Sequence, residues 1–115
     1  MNSGGRGSSE GVIAAAKEAR FYAIGVDSPQ EHLAPDVVLT SMLKRLDVAT
    51  FDMIKAKAEG RFPRDTTVSY ELKNGGVDLS WSESALQLIP ADVAARLKAI
   101  TKDIADGKIV VKEYK

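Results

Sequence analysis

Two charged residues stand where chemistry is easiest to place in this 115-residue chain. The run Phe21-Tyr22-Ala23-Ile24-Gly25-Val26 ends on Asp27, and Val37-Val38-Leu39-Thr40-Ser41-Met42-Leu43 ends on Lys44. An ionised carboxylate offers two acceptor oxygens, and an ammonium offers three donors and no acceptor. Side by side they can grip a vicinal diol, the acid taking both hydroxyl protons and the amine donating to a hydroxyl oxygen. Charge-assisted bonds of this kind contribute about 1.5–3 kcal/mol each when water is excluded. The plainer reading of the same residues is that Asp27 caps the turn after it and Lys44 is a solvated strand end. Spacing alone leaves both open.

Other candidates carry less. Gly4-Gly5-Arg6-Gly7 precedes a capped helix and could offer backbone N–H groups to an anion or a sugar hydroxyl. A loose glycine cluster at a terminus is more often a flexible lead. His32 is the only histidine and there is no cysteine, which argues against a metal site, a histidine-based triad and thiolate chemistry. Trp81 and Tyr70 read as core or hairpin packing rather than a stacking platform, and Arg61 and Arg64 as a solvated loop. With no serine elbow, phosphate-binding loop or redox motif, an enzyme is not expected, and neither is a cofactor.

Two runs of this kind, apolar along most of their length, read as strands covered on both faces, as in the parallel sheet of an α/β protein. Ligands bind beyond the carboxyl ends of such strands. The connection 28–36 is polar and bracketed by Pro29 and Pro35. It is short for a parallel crossover, which usually takes about a dozen residues; a parallel pair is expected all the same. Ser8 or Ser9 is placed to cap a helix from Glu10 to Arg20, with Val12, Ile13 and Ala16 on its apolar stripe.

Beyond Lys44 the period becomes helical. Asp47 is the expected N-cap, Leu46 and Phe51 have the spacing of a hydrophobic staple, Ile54 and Ala58 continue that face, and Gly60 is a stop. Thr67–Leu72 alternates as a strand, and Asn74-Gly75 predicts a tight turn into a strand over 77–81. Pro90 opens the last helix, whose Val93, Leu97, Ile100 and Ile104 share a face as far as Gly107. Ile109-Val110-Val111 reads as a short terminal strand. The expected organisation is a flexible Gly/Ser-rich lead over 1–9 and a single α/β domain over 10–115.

Sixteen basic residues balance sixteen acidic ones, so no global field favours nucleic acid or an anionic membrane. No apolar run approaches the roughly 20 residues of a membrane-spanning helix. The first nine residues lack the hydrophobic stretch of a signal peptide.

The succession Gly11-Val12-Ile13-Ala14-Ala15-Ala16-Lys17-Glu18, Tyr22-Ala23-Ile24-Gly25-Val26-Asp27-Ser28, Leu33 to Arg45 and Gly75-Gly76-Val77 resembles the C-terminal part of the basic membrane lipoproteins. These are the PnrA-like nucleoside-binding components of ABC transporters. The resemblance covers roughly residues 4–112 and is most specific in the Gly-Val-Asp and Leu-Thr-Ser-Met-Leu-Lys blocks. It implies a partial type I periplasmic-binding-protein fold, mostly second-lobe elements, with a parallel or mixed sheet flanked by helices. It also implies that Asp27 and Lys44 contact ribose hydroxyls and that Gly5 and Gly7, with Gly4, line the same cleft. Ser8-Ser9-Glu10 lengthens that loop relative to the family pattern.

By the same resemblance the partners are a nucleoside or other ribose-like small molecule and an ABC permease. The setting is extracytoplasmic and associated with the plasma membrane, without direct membrane insertion, although this chain carries no export signal or lipidated cysteine. Full-length relatives are some three times longer, and their first lobe supplies the other wall of the cleft. Ligand sites bury most of a small ligand, so binding by this chain alone is expected to be weak. The Phe51/Ile54 face is then expected to fold back on the chain's own sheet or to meet a second copy. The competing reading is a structural or interaction fragment without transport or catalytic activity.

Overall fold

The computed structural model describes residues 8–112. Helix α1 (Ser9–Ala19) leads into strand β1 (Ala23–Asp27), and a 3₁₀ turn (Glu31–Leu33) crosses to strand β2 (Val38–Lys44). Helix α2 (Leu46–Ala58), a second 3₁₀ turn (Leu72–Asn74), strand β3 (Val77–Leu79) and helices α3 (Glu83–Leu88) and α4 (Ala91–Ala105) follow. The result is a mixed α/β fold. Its sheet has the order β1-β2-β3, with β1 and β2 parallel and β3 antiparallel to β2. The crossover between the parallel strands is indeed cramped, because one 3₁₀ turn does the work usually given to a helix.

Burial concentrates where α1 meets the first half of the sheet. Ile13, Ala16, Ala23, Ala34, Val37 and Val38 form the core cluster. It is thin: Val38 and Ser41 are the largest side chains buried to below 2% exposure. The radius of gyration is 16.5 Å, against about 13 Å for a compact chain of this length. The expectation of strands covered on both faces therefore holds only for their first halves. Phe21 and Tyr22 lie before β1 and are exposed, and Met42 and Lys44 at the far end of β2 are exposed as well.

Helix α2 ends as its glycine predicts. Gly60 has φ 74°, the Arg61 N–H reaches the Ala56 carbonyl at 2.9 Å, and Gly60 N–H reaches that of Lys57 at 3.2 Å. Its start differs from expectation. Arg45, not Asp47, holds the N-cap position, and Asp47 lies in the first turn with its carboxylate on the Arg45 guanidinium at 2.8 and 3.0 Å. With the cap moved back two positions, Leu46 and Phe51 no longer occupy the sites of a staple. Phe51 (64% exposed) and Ile54 (66%) have not folded back on the sheet. Helix α4 begins at Ala91 with Pro90 as N-cap rather than first-turn residue, and it stops before Gly107 as expected.

Two expected strands are absent. Residues 67–71 join no ladder, and local bonds take the Ser69 carbonyl and both backbone groups of Glu71. The Asn74 side chain accepts from Glu71 N–H at 2.8 Å and Gly76 N–H at 3.2 Å and donates to the Ser69 carbonyl at 2.9 Å. Asn74-Gly75 thus closes a 3₁₀ turn, not a hairpin. Residues 109–112 also pair with no strand, and β3 stops at Leu79 rather than continuing to Trp81. Ile109 N–H is spent on the Asp103 carbonyl at 3.2 Å, at the turn that ends α4. One helix, α3, was not anticipated. Its signal was present: the Ser82 hydroxyl accepts from Ala85 N–H at 3.2 Å, with Glu83 in the first turn.

Candidate functional site

Parallel pairing with Asp27 opposite Leu43 brings the carboxyl ends of β1 and β2 to one edge of the sheet. There Lys44 Nζ lies 3.1 Å from Asp27 Oδ1, with the lysine side chain 61% exposed and the aspartate 30%. The two predicted residues are therefore brought together. The pair is open to water, so its own contribution to stability is within about 1 kcal/mol. Its value is in geometry: an acid and an amine are presented jointly at a strand edge, with the acid the better shielded.

The backbone at Asp27 is unusual. Its φ is 73°, and Ser28 N–H closes onto the Val26 carbonyl at 3.0 Å, an i to i+2 bond around a residue of positive φ. Turns of that class are rare and strained. Aspartate tolerates the left-handed region better than most residues, but such conformations cluster at functional sites because surrounding structure has to hold them.

A cleft of about 530 Å³ opens beside the pair, between the sheet and α4. Val26, Met42 and Leu79 contribute from the strands and Leu97, Ile100 and Ile104 from the helix, with Asp27 and Lys44 at the polar margin. This volume is within the usual range for small-molecule sites, roughly 300–1,000 Å³. The α4 stripe predicted from sequence thus faces a gap, not a filled core.

The remaining candidates do not join this site. Gly4, Gly5 and Gly7 lie outside the described residues. His32 is exposed on the first 3₁₀ turn. Trp81 lies under the Lys98 ammonium, 4.9 Å from its ring centroid, and the Tyr70 hydroxyl donates to the Ala49 carbonyl at 3.4 Å. Arg61 pairs with Glu59. Among the described residues no group of three or more His, Cys, Asp or Glu could hold a metal ion, and no helix is long and apolar enough to cross a membrane.

Sequence reasoning missed two residues beside the site. Gln30 accepts from Val26 N–H through its side-chain oxygen at 2.9 Å, and its own N–H donates to the Ser41 hydroxyl at 3.0 Å. Polar residues in a proline-flanked loop carry no signature of such bonds, so no pattern in the chain could have found them.

Solved structures share this fold. A solute-binding protein of an ABC transporter system from Aeropyrum pernix K1 superposes with a TM-score of 0.72 at 28% identity, over 95% of this chain and 39% of its own. A Bacillus halodurans protein described as a transcriptional activator of the comK gene superposes at 0.82 over 96% of this chain and 38% of its own; at 21% identity this likeness is one of fold. The fold is thus that of a solute-binding protein of an ABC transporter system over the matched part of its chain. The profile of the Bmp family, ABC transporter substrate-binding proteins that are PnrA-like, matches residues 1–114, and the chain belongs to that family.

Two relatives illustrate the spread. The ABC transporter nucleoside-binding protein BmpA of Lactococcus lactis is 36% identical over 101 residues, covering 80% of this chain and 27% of its own length. Basic membrane protein D of Borreliella burgdorferi is 38% identical over 104 residues, covering 88% and 30%. The chain spans about a third of the length of the curated relatives it matches.

Proposed function

We propose that this chain supplies one wall of a nucleoside receptor for an ABC importer, with ribose hydroxyls held by Asp27 and Lys44. The observation that carries the reading is the 3.1 Å ion pair at the carboxyl ends of two parallel strands, on a carboxylate set at positive φ. Two vicinal hydroxyls donate to the two Asp27 oxygens, and the Lys44 ammonium, already neutralising that carboxylate, turns one of its hydrogens to a hydroxyl oxygen. The cleft beside the pair is lined mainly by apolar side chains, which a ligand seated there would cover. The name of the Lactococcus lactis relative supports a nucleoside as ligand.

The role is binding and not catalysis: the grip uses charge and geometry and leaves no nucleophile–base pair to act on the ligand. The permease of the importer is the expected partner of the assembled receptor, in an extracytoplasmic, membrane-associated setting. Because one wall of a clamp buries only part of a ligand, this chain alone binds weakly, and the glycines at 5 and 7 belong to the same proposed cleft. We read residues 10–115 as one α/β unit, with α1 already begun at Ser9. Calorimetric titration with guanosine, inosine and adenosine, wild type against Asp27→Ala, tests the reading. Heat with the wild type that the variant loses supports it; identical titrations of the two remove it.

A second reading rests on one observation, the exposure of Leu46, Phe51 and Ile54 along α2. Large apolar side chains left exposed can serve as contacts for another surface. In that reading the chain is an interaction fragment that self-associates through α2, without transport of its own.

A further inference from the structure

Asp27 does not hold its conformation alone. Gln30 makes two bonds that bracket it: the side-chain oxygen accepts from Val26 N–H on one side, and the backbone N–H donates to the Ser41 hydroxyl on the other. Val26 precedes Asp27 directly, and Ser41 is a fully buried residue of β2. One glutamine therefore fastens both ends of the 26–30 turn, one to β1 and one to β2. The turn between them is the one that sets Asp27 at φ 73°.

Gly25 completes the fit. A Cβ at that position would overlap the Ser41 hydroxyl oxygen and lie 2.9 Å from Gln30 Oε1 and 3.0 Å from Gln30 Cβ. The glutamine can lie across the strand only because residue 25 has no side chain. Strained backbone persists when its surroundings over-determine it, and here those surroundings are three residues outside the ion pair.

We infer that Gln30 and Ser41, seated over Gly25, are positioning residues that hold the Asp27 carboxylate toward Lys44 and toward a bound polyol. The functional half of this inference rests on the proposed ribose grip; the conformational half does not. Without the two bonds, the turn relaxes to negative φ and the carboxylate swings away from the strand edge. The ligand then pays for reordering it, so affinity falls although no contact residue has changed.

The test uses the full chain, isotope-labelled, and reads the one-bond Cα–Hα coupling of Asp27, which distinguishes positive from negative φ, together with Val26 amide exchange. In the wild type the coupling is expected in the positive-φ range and the Val26 amide protected; a freely exchanging Val26 amide overturns the inference without any variant. Gln30→Leu, which keeps the volume and removes the acceptor, is expected to move the coupling and speed Val26 exchange about tenfold, one hydrogen bond's worth. Ser41→Ala is the second variant and is expected to move the coupling in the same sense. An unchanged Asp27 coupling in whichever variants fold overturns the inference. Guanosine titration of the same proteins separates the two readings. If Asp27→Asn binds like the wild type, the ribose grip fails while the coupling result stands. If Asp27→Asn loses binding but Gln30→Leu, with its coupling moved, binds like the wild type, the positioning role fails.

Discussion

The Asp27 carboxylate sits 3.1 Å from Lys44 Nζ across a parallel strand pair, and it does so from a backbone at φ 73°. The pairing register alone would leave the two at neighbouring strand ends; the turn at Asp27 aims one at the other. Asp27→Asn separates charge from shape, because asparagine also tolerates the left-handed region. It is expected to keep the fold and to weaken nucleoside binding by about 10- to 100-fold, the loss of a charge-assisted bond. Calorimetry beside a thermal melt checks this, and equal affinities would leave the pair a structural ornament of the strand ends.

Arg20 ends α1 at φ 59°, with Phe21 N–H on the Ala16 carbonyl at 2.8 Å. That is the closing position glycine fills at α2, and a side chain there costs about 1–2 kcal/mol. Arg20→Gly is expected to stabilise the chain by up to about 1 kcal/mol, since the greater freedom of glycine in the unfolded chain offsets part of the relief. Urea unfolding measures it; a lower midpoint at unchanged slope would contradict the argument.

Glu31 is 3% exposed, and among the described residues neither carboxylate oxygen has a hydrogen-bond partner. Unmet buried acceptors cost roughly 1–3 kcal/mol, so Glu31→Met is expected to raise stability by an amount in that range at neutral pH. Loss of stability on this substitution would mean that the acid is partnered in solution.

Asp47 provides a pH marker at the start of α2. The Arg45 guanidinium, hydrogen-bonded to it, lowers its carboxyl to about 2, against 3.8 for a free side chain. A depressed acid favours the folded pairing above its unfolded value, and that preference fades as pH falls from near 4 through 2. Carbon-detected titration of the Asp47 carboxyl should show its midpoint near the lower value, and Arg45→Gln should return it toward the ordinary range. Coincident titration curves for the two proteins would show that the pair does not form.

The exposed face of α2 predicts concentration-dependent association. Phe51→Ser with Ile54→Ser should shift sedimentation toward monomer while leaving stability within about 0.5 kcal/mol, as expected for exposed positions. A wild type that sediments as monomer at high concentration would remove the self-association reading.

What this chain's residues determined by themselves were the two strands that end on charges and the stops of α2 and α4. The β-branched runs before Asp27 and Lys44 became paired strands, and the α4 periodicity and Gly60 behaved as their local energetics require, since helix periodicity and left-handed caps depend on near neighbours only. Tertiary structure decided the rest. Thr67–Leu72 alternates as well as many strands do, yet a strand needs a free ladder partner, and Asn74 holds Glu71 N–H and the Ser69 carbonyl in a local turn instead. The Leu97/Ile100 stripe was legible, but not that it would face an open cleft. Above all, the site itself is non-local: Asp27 and Lys44 meet through the parallel register of β1 and β2, and the Gln30 bond to the Ser41 hydroxyl joins the turn after β1 to β2. A one-dimensional pattern can place two charges at two strand ends. Whether they meet is decided by the pairing of strands that the chain brings together from separate stretches.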